Sequence, residues 1–379
     1  MLQASAAFGL RGMRREFGSV QTDEELVAFV DLRDFRTEMR ASNPRVRCFD
    51  LRRLISFITP EREFFSFHQT ETVQADSQTW RLRIDGFVER EGEFTLEQLK
   101  QRSESRDEVV TLECSGNAPG PGANGQVGNG RWSGVSLAPI LAECGVKPEA
   151  REVVFFGMDM ERSTGPDDVV PHGRSIYVQD AMSPLPMLAY ELNGKPLPAE
   201  QGFPLRLIFP GCYGMTQIKW LNRIHVLDRR YEGFHMSRNY HTMNSLEYPN
   251  EELWLETSIS KTRLKSVVAR VTRRRQNERF LYRIAGAAWG GPSPLKSVEV
   301  QVDNGGWRAA QIAEPGGDFS WHLWSIDWPD ASPGRHTLVS RAIDADGRIQ
   351  PTAAERRASI RSNREDNSQW PRQVLVIGV

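Results

Sequence analysis

The chain has 379 residues, with 48 Lys and Arg against 49 Asp and Glu, so its formal net charge is −1. This balance gives no indication of a nucleic-acid or membrane-surface partner, and no apolar run approaches the ~18 residues of a membrane-spanning helix. The length suggests two domains or three, and the four cysteines have no paired spacing, which argues against a disulfide framework and a zinc ribbon.

Residues 1–58 are predicted to form a helical extension that wraps the first domain. Thr22–Glu25 reads as a capping box, and the helix after it would place four apolar residues on one side: Leu26, Phe29, Val30 and Met39. No apolar segment follows the Arg14–Arg15 pair, so no signal peptide is predicted. The sequence as written therefore predicts a cytoplasmic protein, and a periplasmic location stays open if the start lies downstream of a signal.

Residues 59–250 are predicted to form one domain in which strands and short helices mix without a regular βαβ period. Strands are expected at positions 80–85, 109–112, 153–156, 205–209 and 218–226, and helices at 96–102, 137–144 and 183–193. A glycine-rich loop is expected from Ser115 to Gly130, with a helix start at Ser133–Ser136. This mixture indicates an α+β fold.

Residues 251–379 change in character, and from Val267 onward the pattern is one of short strands and turns. Strands with alternating apolar residues are expected at positions 282–289, 298–302, 319–326 and 336–342. Asp303–Gly306 is a hairpin-turn sequence. Short strands at this spacing predict an immunoglobulin-like β-sandwich.

Cys114 follows the buried strand Val109–Leu112 and opens onto the glycine-rich loop. A thiol in that position is held on a rigid element, and a thiolate suits a soft metal or a redox reaction. Two other interpretations are a small core residue, the commoner place for a lone cysteine, and a nucleophile, for which no nearby histidine base is evident.

Two cations form a second candidate site, because Arg206 begins one strand and Lys219 begins the next. Cations that converge near loop amides bind phosphate, although surface exposure is the usual situation of Arg and Lys on strands. Asp167, Asp168 and His172 lie in a predicted polar loop, residues 163–175. They invite a second metal site, but a solvated loop is the commoner explanation.

Several motifs resemble the sulfite oxidase family. The run ECSGN at positions 113–117, followed by GNGRWSGVSLAPIL at 128–141, is similar to that family's molybdenum-binding core. The resemblance runs from about Thr59 to the C-terminus. It implies a molybdenum–molybdopterin cofactor whose metal takes Cys114 as its single protein ligand, and a C-terminal domain that forms a homodimer.

The resemblance also implies which residues contact the cofactor. GFPLRLIFPG and QIKWL match the segments that hold the pterin phosphate, and Gln201 falls where animal members have histidine. The implied cofactor-binding residues are Phe64, Phe65, Ser66, Phe67, His68, Cys114, Asp159, Gln201, Arg206, Gln217, Ile218 and Lys219.

The implied catalytic residues are Cys114, Tyr231, which matches the family's active-site tyrosine, and Arg131. Ser66 stands where the oxidases have an arginine that binds the substrate anion, and Arg131 is a candidate to replace that charge. A neutral serine cannot neutralise a sulfite dianion, so the identity of the substrate stays open.

Three functions follow. The first is a molybdenum oxidoreductase that transfers oxygen to sulfite or a related sulfur compound and passes electrons to an external acceptor, a cytochrome c, because no haem domain is encoded. The second is a reductase of S-oxides or N-oxides with the same cofactor. The third is a non-enzymatic binding protein without cofactor, and molybdenum analysis distinguishes it from the other two.

Overall fold

The computed structural model describes residues 24–30, 45–119, 124–162, 168–248, 251–277, 279–313, 316–362 and 364–377. Within those ranges, no helix combines the length and the apolar character that a membrane crossing requires.

Strands dominate the first two thirds of the chain. In chain order they are β1 (Glu24–Val27), β2 (Val46–Arg47), β3 (Ser66–Phe67), β4 (Leu82–Gly86), β5 (Gly92–Phe94), β6 (Ser105–Glu113), β7 (Val127–Ser136), β8 (Glu152–Arg162), β9 (Val169–Tyr177), β10 (Met187–Leu192), β11 (Lys195–Pro196), β12 (Arg206–Ile208) and β13 (Leu221–Leu227). The helices among them are short: α1 (Leu96–Lys100), α2 (Leu137–Cys144) and α3 (Val178–Ala181).

The remaining strands follow a π-helical turn at His235–Asn239. They are β14 (His241–Tyr248), β15 (Glu251–Ser258), β16 (Lys265–Gln276), β17 (Arg279–Trp289), β18 (Leu295–Val302), β19 (Arg308–Ala309), β20 (Gln311–Ile312), β21 (His322–Trp328), β22 (Gly334–Asp344), β23 (Ile360–Arg361) and β24 (Arg372–Val376). A further helix, α4 (Ala353–Ser359), precedes β23.

Two sheets build the first domain. One has the order β11–β10–β7–β6, with β12 also paired to β10, and the other has the order β5–β4–β13–β8–β9. In the second sheet β4 and β13 run parallel, and β13 pairs with β8 antiparallel. A shared apolar core joins these sheets and α2, and its members include Leu82, Ile84, Leu141, Phe155, Leu207 and Ile224.

The C-terminal part is a two-sheet β-sandwich. Its sheets have the orders β1–β16–β17–β21–β20 and β19–β18–β22–β24. The apolar cluster associated with these strands includes Val268, Ile284, Trp324, Leu338 and Val374. The predicted α+β fold with a β-sandwich at its C-terminal end is therefore confirmed.

The prediction of an N-terminal helix is wrong for the residues that the structure describes there, because residues 24–27 form strand β1. This strand pairs with β16 of the sandwich, with Glu24 opposite Arg274 and Glu25 opposite Arg273. The carboxylate of Glu25 accepts a hydrogen bond from Arg273 at 2.8 Å. A free sheet edge thus outweighs the local capping signal, while Thr22 and Met39 lie outside the described residues.

The helix expected at 183–193 is also wrong, since β10 occupies positions 187–192. β10 lies between β7 on one side and both β11 and β12 on the other, and Met187, Leu188 and Ala189 are buried. A continuous apolar run of this length does not distinguish a buried strand from a buried helix.

The glycine-rich segment is shorter as a loop than its composition suggests. β7 covers residues 127–136 and pairs antiparallel with β6, so Ser133–Ser136 is strand and α2 begins at Leu137. A Cβ atom on Gly130 would lie 2.5 Å from Leu192 Cδ1, and one on Gly134 would lie 2.1 Å from the carbonyl oxygen of Leu188. These glycines therefore permit close packing between neighbouring strands instead of forming a turn.

Candidate functional site

A cavity opens beside Cys114, at the point where β6 ends. Its empty space, including the open mouth, is about 760 Å³. The lining combines eleven of the residues that the sequence singled out: Phe65, Ser66, Phe67, His68, Cys114, Asp159, Gln201, Arg206, Gln217, Ile218 and Lys219.

The backbone fixes the position of Cys114. Its amide donates to the Gln126 carbonyl at 2.9 Å, and its carbonyl accepts from the Asn117 amide at 2.8 Å. Just before it, the Glu113 carbonyl accepts from the Gly214 amide at 2.6 Å. The thiol is half-buried, so it is held rigidly but remains reachable from the cavity.

Arg206 forms the cationic wall of the cavity from the first residue of β12. Its Nη1 donates to both the carbonyl and the side-chain oxygen of Gln201 at 3.0 Å, and its Nη2 donates to the Gln217 carbonyl at 3.3 Å. The guanidinium also lies over the Trp132 ring, 4.9 Å from the centroid. Burial lowers the pKa of Arg206 to about 9, which leaves it protonated at neutral pH.

Gln217 lines the same cavity. Its side chain is occupied within the loop, accepting from the Phe209 amide at 2.6 Å and donating to the carbonyls of Phe209 and Cys212. The backbone of Ile218 likewise accepts from Leu207. The backbone of Gln217 is bonded as well, since its amide donates to the Gly214 carbonyl at 3.1 Å and its carbonyl accepts from Arg206, so the question whether backbone or side chain contacts the cofactor stays open.

Lys219 is the second cation, and it lies against His68. Its ammonium donates to the carbonyls of Phe67 and Glu200 at 3.2 and 3.1 Å and lies 3.3 Å from His68 Nδ1. Burial, followed by the nearby Arg206, lowers the pKa of Lys219 to about 7. Burial and the Lys219 charge lower the pKa of His68 to about 4, so this histidine is neutral at physiological pH.

Ser66 is buried and satisfied by its neighbours. Its hydroxyl donates to the Glu200 carbonyl at 3.2 Å and lies 3.4 Å from His68 Nδ1. It lines the cavity but, being neutral, adds no charge for an anionic substrate.

A charged group that the sequence did not single out also lines this cavity. Arg174, in β9, is buried and lines the same cavity as Cys114. Its Nη1 donates to the buried carboxylate of Glu161 at 3.1 Å and to the Gly173 carbonyl at 2.6 Å. Arg174 is predicted from the sequence to lie in a polar loop from 163 to 175, and an arginine in such a loop gives no sign of a role in a cavity. In the structure residues 169–177 are strand β9, and residues 163–167 lie outside the described part.

His172 belongs to the same strand and also lines the cavity. Its Nδ1 lies 2.9 Å from the Asp159 carboxylate and its Nε2 lies 3.9 Å from Glu161. Among the described residues no group of three or more His, Cys, Asp and Glu side chains has an arrangement that could hold a metal ion. The second metal site is therefore not supported for Asp168 and His172, and Asp167 lies outside the described residues.

The tyrosine in the cavity is Tyr240, which follows the π-helical turn. Burial, with Cys114 nearby, raises its pKa, so its phenol stays protonated and can donate a hydrogen bond. Tyr231 does not appear in the lining. Its ring packs edge-on against Phe156 at 5.9 Å, and its amide donates to Glu152. The RRYEGF motif pointed to the right segment of the chain but not to the tyrosine at the wall.

The structure places Arg131 outside the lining of the cavity, so its catalytic role stays a prediction. Arg131 lies in β7 opposite Val109, and its side chain is exposed. The end of β6 next to Cys114 pairs with Val127, which is four residues from Arg131 along β7. At ~3.4 Å per residue, four positions carry it ~13 Å from the cysteine end of the hairpin. Phe64 is fully buried behind the cavity, where it packs edge-on against Trp132 at 5.6 Å.

The residues present fit an anionic, metal-bearing cofactor. Two buried guanidinium nitrogens of lining residues, Arg206 Nε and Arg174 Nε, have no hydrogen-bond partner among the residues that the structure describes. Buried donors are normally satisfied, so both indicate a ligand that accepts hydrogen bonds. The thiol of Cys114 opens into the same space and offers the single soft ligand that the resemblance implies.

Comparisons with known proteins agree with this site. Residues 68–235 match the family model described as the oxidoreductase molybdopterin binding domain. Sulfite oxidase from Gallus gallus is 28% identical over 329 residues, covering 78% of this chain and 68% of the relative. Mitochondrial sulfite oxidase from Homo sapiens is 30% identical over 331 residues, covering 78% of this chain and 58% of that protein.

A solved structure extends the likeness to the whole chain. The sulfane dehydrogenase SoxCD from Paracoccus pantotrophus superposes with a TM-score of 0.73 at 24% identity, covering 100% of this chain and 96% of the other. At that identity the superposition establishes the shared fold alone. The matched domain and the sulfite oxidase relatives, together with the cavity beside Cys114, identify the chain as a molybdopterin-binding oxidoreductase that is similar to the sulfite oxidases.

Proposed function

We propose that the protein oxidises a small anionic sulfur compound, sulfite or a close relative of it, and passes the electrons to a separate acceptor. The observation that carries this proposal is the meeting of Cys114, Arg206, Lys219 and Arg174 in one cavity. The names of the relatives, sulfite oxidase and sulfane dehydrogenase, support the sulfur class of substrate. They favour oxidation of sulfur over reduction of S-oxides or N-oxides.

Different residues of the cavity wall would bind different parts of the cofactor. Arg206 and Lys219 supply positive charge for a phosphate, and the backbone around Gln217 and Ile218 forms the adjoining surface. Cys114 supplies the thiolate for the metal at the other side. Bound there, the molybdenum cofactor supplies two-electron redox chemistry in which water is the source of the transferred oxygen.

Arg174 supplies charge for the substrate. Sulfite, water and two oxidising equivalents give sulfate and two protons, so the cavity must hold a dianion and release protons. Arg174 is a buried cation that lines the cavity, and within the described part of the chain its Nε has no hydrogen-bond partner. A charge-assisted hydrogen bond from that atom orients an oxyanion, which compensates for the neutral Ser66.

Two other groups that line the cavity can take part in proton transfer during the oxidation of sulfite. The Asp159–His172 pair lines the cavity with a 2.9 Å contact and can receive a proton at the histidine ring. The protonated Tyr240 phenol is a hydrogen-bond donor at the cavity wall. Both groups hold protons at fixed positions beside the space where the substrate would react.

The test begins with protein made in a host that synthesises the pterin. We expect about one equivalent of molybdenum in the wild type and almost none in Cys114→Ser, because the thiolate is the single protein ligand. Sulfite should be oxidised with ferricyanide or a c-type cytochrome as acceptor. Less than about a tenth of an equivalent of molybdenum in the wild type would sink the proposal. Sulfoxide reduction with a reduced dye, and no sulfite oxidation, would favour the reverse reaction.

A variant tests the substrate charge directly. Arg174→Lys keeps a cation opposite Glu161 but removes the Nε donor, so KM for sulfite should rise about 10- to 100-fold at unchanged molybdenum content. Arg131→Ala is the matched control, because its side chain lies outside the cavity and KM should stay within about twofold. Equal effects of both variants would contradict the role of Arg174.

Two finer features belong to the proposal. We infer a homodimer through the β-sandwich, for which light scattering should give about twice the 43.0 kDa chain mass. A monomer at micromolar concentration would contradict this. We retain the cytoplasmic location as a proposal, and cell fractionation distinguishes it from a periplasmic one.

A further inference from the structure

A buried charge from the β-sandwich reaches the loop that carries Cys114. Lys265, the first residue of β16, donates from Nζ to Glu113 Oε1 at 2.5 Å and to the Asn117 carbonyl at 2.6 Å. Glu113 immediately precedes Cys114, and Asn117 follows it by three residues. The lysine therefore holds the chain on both sides of the cysteine.

The partners of this lysine form a closed network. Glu113 Oε1 also accepts from the Asn117 side chain at 2.9 Å, and Oε2 accepts from Trp289 Nε1 at 2.9 Å. Trp289 ends β17, so two neighbouring strands of the sandwich contact one carboxylate of the first domain. Glu113 is 0% exposed and Lys265 is 3% exposed, so solvent does not screen this pair.

We propose that Lys265 is a positioning residue for the metal ligand, and that the β-sandwich completes the cofactor site. Lys265 is not among the residues that line the cavity; it acts through Glu113 and Asn117. A buried ion pair adds little to stability compared with apolar packing, but its directional bonds define one arrangement of the groups they join. Here that arrangement is the turn that aims the thiol into the cavity.

This inference rests on the proposed function for its metal-binding aspect, and it makes a prediction for the cofactor-free chain as well. If Lys265 orders the turn, removal of its charge should expose Cys114 more often. Cys144 and Cys212 are buried. In a Cys48→Ser variant, Cys114 is therefore the one partly exposed cysteine among the residues that the structure describes.

The experiment measures the iodoacetamide reaction rate of full-length, cofactor-free protein in that background. We expect Lys265→Met to react about tenfold faster than the parent and Lys265→Arg to react at nearly the parental rate, since arginine restores the charged donor. In a pterin-competent host, molybdenum content of Lys265→Met should fall about tenfold. Arg273→Met is the matched control on the same strand, because Arg273 pairs with the exposed Glu25, and it should change neither quantity.

An unchanged alkylation rate together with unchanged molybdenum content in folded Lys265→Met would overturn the proposal. If that variant does not fold, Trp289→Phe, which removes one bond to Glu113, must show a smaller change in the same direction, and parental values would again overturn it. A parent that takes up no molybdenum, but whose alkylation rate still depends on Lys265, would sink the proposed function and leave the positioning role standing.

Discussion

Two glycines of β7, Gly130 and Gly134, give a graded prediction together with Gly306 of the β-sandwich, because the space available for a methyl group differs among the three. At Gly306, in an exposed turn of the sandwich, an added Cβ meets nothing within 4 Å. At Gly130 it would lie 2.5 Å from Leu192 Cδ1, the end of a side chain that can move. At Gly134 it would lie 2.1 Å from the Leu188 carbonyl oxygen and 2.7 Å from Ala189 Cα, where only a backbone shift gives relief.

The expected losses in free energy of unfolding follow that order. Gly306→Ala should change stability by at most about 0.5 kcal/mol. Gly130→Ala should cost about 1–3 kcal/mol, the range for an overpacked core. Gly134→Ala should cost more than about 4 kcal/mol, because it separates β7 from β10 in the sheet that carries Cys114.

Urea unfolding followed by tryptophan fluorescence measures the three variants against the parent. The large difference between Gly134→Ala and Gly306→Ala is the essential result. If Gly130→Ala and Gly134→Ala both unfold at the parental urea concentration, the segment is a pliable loop after all, and the close packing described for β7 is refuted.

Two further predictions concern the cavity. In cofactor-free protein, sulfate binding measured by calorimetry should weaken as pH rises from 6 to 8, because the pKa of Lys219 is lowered to about 7 and the ammonium loses its charge in that interval. The Lys219→Arg variant should lose most of this pH dependence. If sulfate binding weakens equally steeply in that variant, the pH dependence belongs to another group. Tyr240→Phe should lower kcat for sulfite about tenfold or more, because the cavity loses a hydrogen-bond donor. The kcat of Tyr231→Phe should stay within about threefold of the parental value. The opposite ranking of the two variants would assign the role of hydrogen-bond donor to Tyr231.

Local sequence predicted the elements whose signals are carried by adjacent residues. The Thr95 capping box and the short helix after it are present, and so is the helix closed by Gly145 in the left-handed conformation. The strand before Cys114 and four strands of the β-sandwich, β17, β18, β21 and β22, were also predicted. Capping, turn formation and alternation act over a few residues, so the chain encodes them without reference to distant partners.

Contacts between distant segments decided the rest. Residues 24–27 became a strand because β16 offered a free edge, and residues 187–192 became a strand between β7 and β12. The glycines at 128–134 resembled a loop in composition, but their missing side chains make room for Phe64, Leu188 and Leu192.

The candidate site divides in the same way. Motifs identified Cys114, Arg206 and Lys219, because the resemblance rests on residues that are close in sequence. They did not identify Arg174 or Tyr240, and they suggested Arg131, whose side chain lies outside the cavity lining, because strand register determines which side chains reach the cavity. The sequence by itself determined the similarity to the sulfite oxidases and the molybdopterin chemistry that it implies, and it predicted Cys114 as the metal ligand. Only the tertiary structure decided which distant charges surround that cysteine, since pairing and burial over more than 100 residues set those distances.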